Sequence, residues 1–297
     1  MNAAGGGAEA MTDAADSVAM KNAVHLLSEA DVTDPEADAA AILAYAATAF
    51  SGAPRPVYDR CLASLLHQRA RRVPLGYLTR TATVLGIEFD AGPGAFVPRK
   101  ESEAYVLRAL DSIKSVPAPK VLDLFSGVGA LALIVAHRRP DAAVTAVELS
   151  DDALVYAEEN QRRRALAGDC EISLIQADIC DTDWCSGLAG QYDLVMANPP
   201  YVPLSKEIRP EFARYQPREA IFSGTDGLDA MRAATVVSAS VLKPGGWYFL
   251  EHGEEQADLV ASALTEFGLF DHVHCHRDLY DLPRWTCAVR TDRTHAP

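Results

Sequence analysis

Apolar runs of strand length alternate with stretches of helical spacing over the last two thirds of the chain. Residues 120–125 (KVLDLF), 143–147, 173–177 and 192–197 (YDLVMA) are near-continuous apolar runs, the pattern of parallel strands buried on both faces. Residues 130–138, 228–242 and 255–267 carry apolar positions at helical spacing, and 247–250, 273–275 and 285–289 read as late strands. This alternation predicts an α/β fold around a largely parallel sheet. Earlier, 23–29, 35–50 and 57–71 read as helices whose stripes are Leu26, Leu27, Ile42, Leu43, Leu62, Leu65 and Leu66, with a Gly/Pro connector at 51–56. Short strand-like runs around Gly86, Gly92 and Gly94 predict a hairpin linker. The predicted organisation is a disordered extension (1–20, rich in Ala and Gly and acidic), a helical domain (21–80), a hairpin and connecting helix (81–118) and a main α/β domain (119–292).

Composition narrows the function. The chain has 297 residues, 49% of them hydrophobic, and 41 acidic against 27 basic residues give a net charge of −14. That balance argues against broad nucleic-acid binding, which rests on phosphate neutralisation. The basic clusters at 69–72 and 162–164 read as solvated helix faces. No apolar run is long enough to span a membrane and no secretion signal is evident, so no membrane partner is expected. Six cysteines without Cys-x-x-Cys spacing fit a reduced cytoplasmic protein. His272, His274 and His276 would share one face of a strand; polar residues on an edge strand explain them better than a metal, and no metal is expected.

The candidate chemistry lies at the carboxyl end of each strand. Strand 120–125 ends in Ser126-Gly127-Val128-Gly129 before a helix, an arrangement that brings backbone N–H groups and a helix N-terminus to a ligand; Asp123 lies inside the motif. The three-glycine dinucleotide fingerprint is absent. Glu148 closes the next strand about 20 residues on, where an acid suits ribose hydroxyls; an acidic helix start capped by Ser150 is the alternative. Asp178 comes just past the third strand and could accept a bond from an adenine amino group. The fourth delivers Asn198-Pro199-Pro200-Tyr201. An Asn oxygen and a proline-region carbonyl can accept both N–H bonds of a planar amide or amino nitrogen and aim it at a sulfonium methyl. The prolines fix the carbonyl's direction, and the Tyr ring offers a stacking face. An ordinary Asn-Pro turn is the alternative reading. An acid for ribose, an acid for adenine and no phosphate-binding Lys point to S-adenosylmethionine, leaving as S-adenosylhomocysteine.

From about residue 22 to 290 the chain resembles the release factor glutamine methyltransferases, the HemK/PrmC family. The resemblance rests on Val73-Pro74-Leu75-Gly76-Tyr77-Leu78, Phe96-Val97-Pro98-Arg99, the DLFSGVGALAL turn, NPPYVP, Pro217-Arg218-Glu219-Ala220, Gly224-Thr225-Asp226-Gly227-Leu228, Leu250-Glu251-His252-Gly253 with Gln256, and Arg277-Asp278-Leu279 with Arg284. It implies a Rossmann-like class I methyltransferase with a seven-stranded sheet, a small N-terminal helical domain that recognises the substrate, and a β-hairpin linker. It implies cofactor binding by Asp123, Phe125, Gly127, Gly129, Glu148, Leu149, Asp178, Ile179, Asn198, Arg99 and Glu101. Catalysis falls to Asn198, Pro199 and Tyr201, and substrate binding to Asn198, Pro199, Pro200, Tyr201 and Glu251. The implied substrate is the glutamine of a peptide chain release factor's Gly-Gly-Gln tip. The chain departs from the family pattern at Arg80 and Phe125, where Gly is usual, at Lys100 and Ser102 within P-R-P-E-T-E, and at Gln216, where Glu is usual. A paralogue acting on an amide or amine of a specialised metabolite or peptide is therefore the alternative. Adenine methylation of nucleic acid is a third reading, opposed by the charge.

Overall fold

The computed structural model describes the backbone of residues 5–293 and the side chains of residues 17–293. The chain divides into two compact units, 1–80 with 209–215 and 81–208 with 216–297.

The first unit contains α1 (Gly5–Glu29), α2 (Pro35–Ala49), α3 (Arg55–Ala70) and α4 (Leu75–Thr79). Asp34 caps α2 by accepting from Ala37 N at 3.0 Å, and Pro35 opens the helix. Leu27, Val32, Ala23 and Ala39 form its core, with Leu66 and Ala70 packed against them. α1 covers the 1–20 stretch from Gly5 on, and its alanines are strong helix formers. Residues 1–4 lie outside the described part. Arg69 and Arg72 are not solvated: both are buried, because each finds a carboxylate. Arg69 donates to Asp38 at 2.5 Å. Arg72 grips both oxygens of Glu211 at 2.8 and 2.6 Å and the Asp31 carbonyl at 2.8 Å.

The second unit opens with the hairpin β1 (Thr81–Val84) and β2 (Ile87–Asp90), then α5 (Ser102–Ser112). Next come β3 (Lys120–Leu124), α6 (Ala130–Arg138), β4 (Ala143–Glu148), α7 (Asp151–Leu166), β5 (Ser173–Gln176) and β6 (Tyr192–Ala197). After β6 the chain enters the first unit to form α8 (Pro210–Ala213), then returns for α9 (Asp229–Val241), β7 (Leu242–Glu251), α10 (Ala257–Glu266), β8 (Phe270–Arg277) and β9 (Pro283–Arg290). Among the described residues the main sheet has seven strands in the order β5-β4-β3-β6-β7-β9-β8, parallel except at β9. Side chains alternate between its faces. Val121, Leu194, Met196 and Phe249 join one core with α5, α6 and the start of α7; Leu122, Leu124, Val195, Tyr248 and Leu250 join the other with α9 and α10. The chain leaves β3 toward β4 and leaves β6 toward β7, so the crevice where ligands bind in such sheets lies between β3 and β6.

The three histidines do not share a face. His272 has φ +53° and sits at a register shift, which breaks the alternation, while His276 stacks on Trp285 with ring centroids 4.0 Å apart.

Both departures from the family glycines keep a glycine's backbone. Arg80 has φ +62° at the end of α4, and Phe125 has φ +60° at the end of β3. A left-handed conformation costs a side-chain-bearing residue about 1–2 kcal/mol. Arg80 is exposed, so little contact is lost on removing its side chain. Arg80→Gly should raise stability by about 1 kcal/mol in urea unfolding, since Gly is the usual residue just past a helix end.

Candidate active site

Strand register alone assembles the site. Leu124 is level with Val147 on one side and Ala197 on the other; Val147 pairs with Ile175, and Ala197 with Leu250. The next residue on each strand or turn is therefore Gln176, Glu148, Phe125, Asn198 and Glu251, in that order across one sheet edge. Neighbouring strands lie about 4.8 Å apart, so these five span about 19 Å.

The Gly turn and Glu148 are directly joined. The Glu148 carboxylate accepts from Gly127 N at 2.7 Å, Leu149 N at 3.0 Å and Ser150 N at 2.9 Å. Ser150 caps α7 through Ala153 N, so Glu148 ends its strand and does not serve as the cap. Asn160 braces the turn from behind, donating to Val128 O and Asp90 O at 3.0 Å each. Asp123 is buried beneath it. Burial, with Glu148 nearby, pushes its carboxyl up to about 8 against the opposing bond from Ala132 N. Its Oδ1 and the Ser126 Oγ are buried without a hydrogen-bond partner among the described residues. Phe125 and Ile179 pack into the core below, Leu149 is exposed, and Asp178 is exposed just past β5.

On the β6 side, Asn198 and Tyr201 are half-buried and Pro199 is buried. Tyr105 of α5 inserts its phenol between β6 and β7: its oxygen takes a bond from Ala197 N at 2.8 Å, and its hydroxyl lies 3.2 Å from Ala197 O and 3.1 Å from Phe249 O. Arg99 is hydrogen-bonded to Glu101 and faces Tyr201 and Glu251. This groups Arg99 and Glu101 with the NPPY segment. Glu251 is buried and accepts from Ser102 Oγ at 2.7 Å; burial raises its carboxyl above the ordinary range, with Ser102, Arg99 and Arg284 pulling the other way. Burial and Glu251 also raise the Tyr201 phenol, which keeps it neutral. Arg284 bonds Tyr201 and is itself fixed by Asp278 at 2.9 Å. The remaining departures leave this frame intact. Gln216 accepts from Val97 N at 3.1 Å through an oxygen that a Glu would also supply, Ser102 serves Glu251, and Lys100 is exposed. Sequence reasoning missed Tyr105 and Asn160, which carry no motif: they act by where their helices place them.

Residues 91–212 match the "Methyltransferase small domain" model. The release factor glutamine methyltransferase of Mycolicibacterium smegmatis is 34% identical over 283 residues, covering 93% of this chain and 98% of that protein. The chain belongs to the release factor glutamine methyltransferase family. The Streptomyces coelicolor member is 35% identical over 274 residues, 90% of this chain and 95% of that one. Among solved structures, the human Mettl16 catalytic domain, crystallised with an RNA hairpin, matches with a TM-score of 0.55 at 14% identity, covering 78% of this chain and 84% of that one. At that identity it speaks to the fold alone, and the fold is the class I methyltransferase fold expected. No helix among the described residues is long and apolar enough to cross a membrane.

The residues present fit S-adenosylmethionine, the cofactor implied by the family. Glu148 offers a carboxylate at the crevice, the Gly turn is open at Gly127, and the unpartnered Asp123 and Ser126 oxygens await polar groups. Glu148→Ala removes the brace on Gly127 and the carboxylate expected to accept from ribose. Cofactor affinity by calorimetry should fall at least about tenfold, the loss of one charge-assisted bond.

Proposed function

We propose that this protein transfers a methyl group from S-adenosylmethionine to the side-chain amide nitrogen of the glutamine in the Gly-Gly-Gln motif of peptide chain release factors. The observation that carries the reading is the register that sets Asn198 one strand from the Gly turn and two from Glu148. The cofactor supplies an electrophilic methyl group and leaves as the neutral thioether. Glu148, Asp178 and the turn at Gly127 and Gly129 hold it, with Asp123, Leu149 and Ile179 lining or backing the site. The chain's own work is then positioning. Asn198 Oδ1 and the Pro199 carbonyl accept the two N–H bonds of the amide, fixing its nitrogen. Tyr201 stacks on the amide plane. No strong base is required beforehand, because the nitrogen sheds its proton once it carries the methyl group. Arg99, Glu101 and Glu251 support Tyr201 from below. A release factor as partner also assigns the protein to the cytoplasm, with the translation machinery.

The departures near the site do not favour a different acceptor: Arg80 and Phe125 keep a glycine's backbone, Gln216 and Ser102 make bonds that Glu and Thr could also make, and Lys100 is exposed. Labelled S-adenosylmethionine, offered in parallel with purified release factor and with adenine-containing RNA and DNA, tests the reading. Label should enter the release factor alone. Transfer to nucleic acid would reject it.

A further inference from the structure

The NPPY segment cannot anchor itself. Pro199 and Pro200 have no N–H to donate, so the carbonyl and amide that would hold the substrate nitrogen depend on fixed points at either end. The upstream point is Ala197, whose N–H is held by Tyr105. The downstream point is the Tyr201–Val202 peptide, whose N–H donates to Ile221 O at 2.9 Å and whose carbonyl accepts from Gln256 Nε2 at 2.9 Å. Gln256 is buried, and its two amide atoms do different things. Its Oε1 accepts from Gly253 N at 2.9 Å, closing the turn after β7; its Nε2 reaches across to Tyr201 O and, at 3.5 Å, Asp226 O. Gly227 lies close against the second bond. It has φ +80°, and a Cβ there would lie 2.3 Å from Tyr201 O and 2.7 Å from Gln256 Nε2.

We propose that Gln256 is a positioning residue for methyl transfer, clamping the Tyr201 carbonyl so that Asn198 and Pro199 keep the geometry that aims the substrate nitrogen. This rests on the methyl-transfer reading of the NPPY segment. It separates two roles that one side chain performs: the Oε1 bond is local turn closure, and the Nε2 bond is the clamp.

Gln256→Glu divides them. The isosteric carboxylate still accepts from Gly253 N but cannot donate to Tyr201 O, and it sets a charge against two carbonyls. Protonated, it can donate again. Burial beside carbonyls lifts such a carboxyl toward neutrality, so activity should return as pH falls. The titratable and charged groups on the segments that Gln256 bonds, or next to them in the chain, are Tyr201 (bonded by Arg284), Asp226 (paired with Arg232), Glu251, His252, Glu254 and Glu255 (paired with Lys206). The wild-type pH profile, which contains all of them, is the reference.

With release factor as substrate, Gln256→Glu should have kcat at least about tenfold below wild type at pH 8. The ratio to wild type should recover at least about threefold by pH 6, with cofactor Kd unchanged within about twofold. Gln256→Met, which fills the space without donating, should lose kcat by about fivefold or more at every pH with no recovery. It also stands in if Gln256→Glu fails to fold. Wild-type kcat in Gln256→Met, or a Gln256→Glu profile parallel to wild type, would overturn the clamp while leaving the methyl-transfer reading intact. An inactive wild-type enzyme would instead strike at that reading.

Discussion

Asn198→Ala should lower kcat for methyl transfer to release factor by on the order of 100- to 1,000-fold while leaving cofactor affinity nearly unchanged. A preorganised polar contact of this kind is worth about 2.7–4 kcal/mol in the transition state. An amide nitrogen is a poor nucleophile because its lone pair is delocalised, so its orientation matters more than it would for an amine. The groups proposed to hold the cofactor, the Gly turn, Glu148 and Asp178, follow β3, β4 and β5, and Asn198, which the resemblance places with both cofactor and substrate, is assigned here to the substrate. The loss should therefore fall on kcat and spare cofactor Kd. Asn198→Asp should not rescue it, because a carboxylate in a closed site carries a desolvation cost and tends to protonate. Single-turnover kinetics with calorimetry of the cofactor checks both halves. Retention of more than about a tenth of wild-type kcat would indicate an acceptor nitrogen that needs no such holding, such as an aliphatic amine.

Glu211→Ala should destabilise the protein by about 3 kcal/mol, the low end for removing one partner of a buried ion pair. It would leave the Arg72 guanidinium, 11% exposed, with two backbone carbonyls and the more distant, exposed Asp31 carboxylate as partners. Burial alone would raise the Glu211 carboxyl, but its bonds to Arg72 outweigh that and hold it below the ordinary range. A depressed native pKa contributes stability above the unfolded value, near 4.3, and loses it as pH falls through the native value. The gap between wild type and Glu211→Ala in urea unfolding should therefore be full at pH 7 and narrow below pH ~4.3. A gap that held constant into acid would show that the ion pair is not its source. Glu211 belongs to the short excursion that the chain makes after the NPPY segment, so this ion pair ties that excursion into the helical unit.

The sheet and its edge were legible because both rest on local signals. Buried parallel strands read as apolar runs, and their register carries Glu148, Phe125, Asn198 and Glu251 to one edge without further help. The long-range partners were not legible. Nothing near Arg72 announces Glu211, 139 residues away, so two buried arginines read as solvated. Tyr105 looks like any apolar residue on the stripe of α5, and only the fold reveals that its oxygen meets Ala197 and Phe249. Arg80 and Phe125 were visible as departures, but their positive φ appears only in three dimensions. Gln256 stood in a motif whose spacing gave no hint that one side chain serves two separate bonds.

The proposed acceptor is a glutamine side-chain amide of a release factor. The most direct test is mass spectrometry of release factor incubated with the enzyme and S-adenosylmethionine, fragmented through the Gly-Gly-Gln peptide. The expected result is one added methyl group on the glutamine side chain, lost when Asn198→Ala replaces the enzyme. An unmodified glutamine, with methyl transfer found at another residue or on another class of molecule, would contradict it.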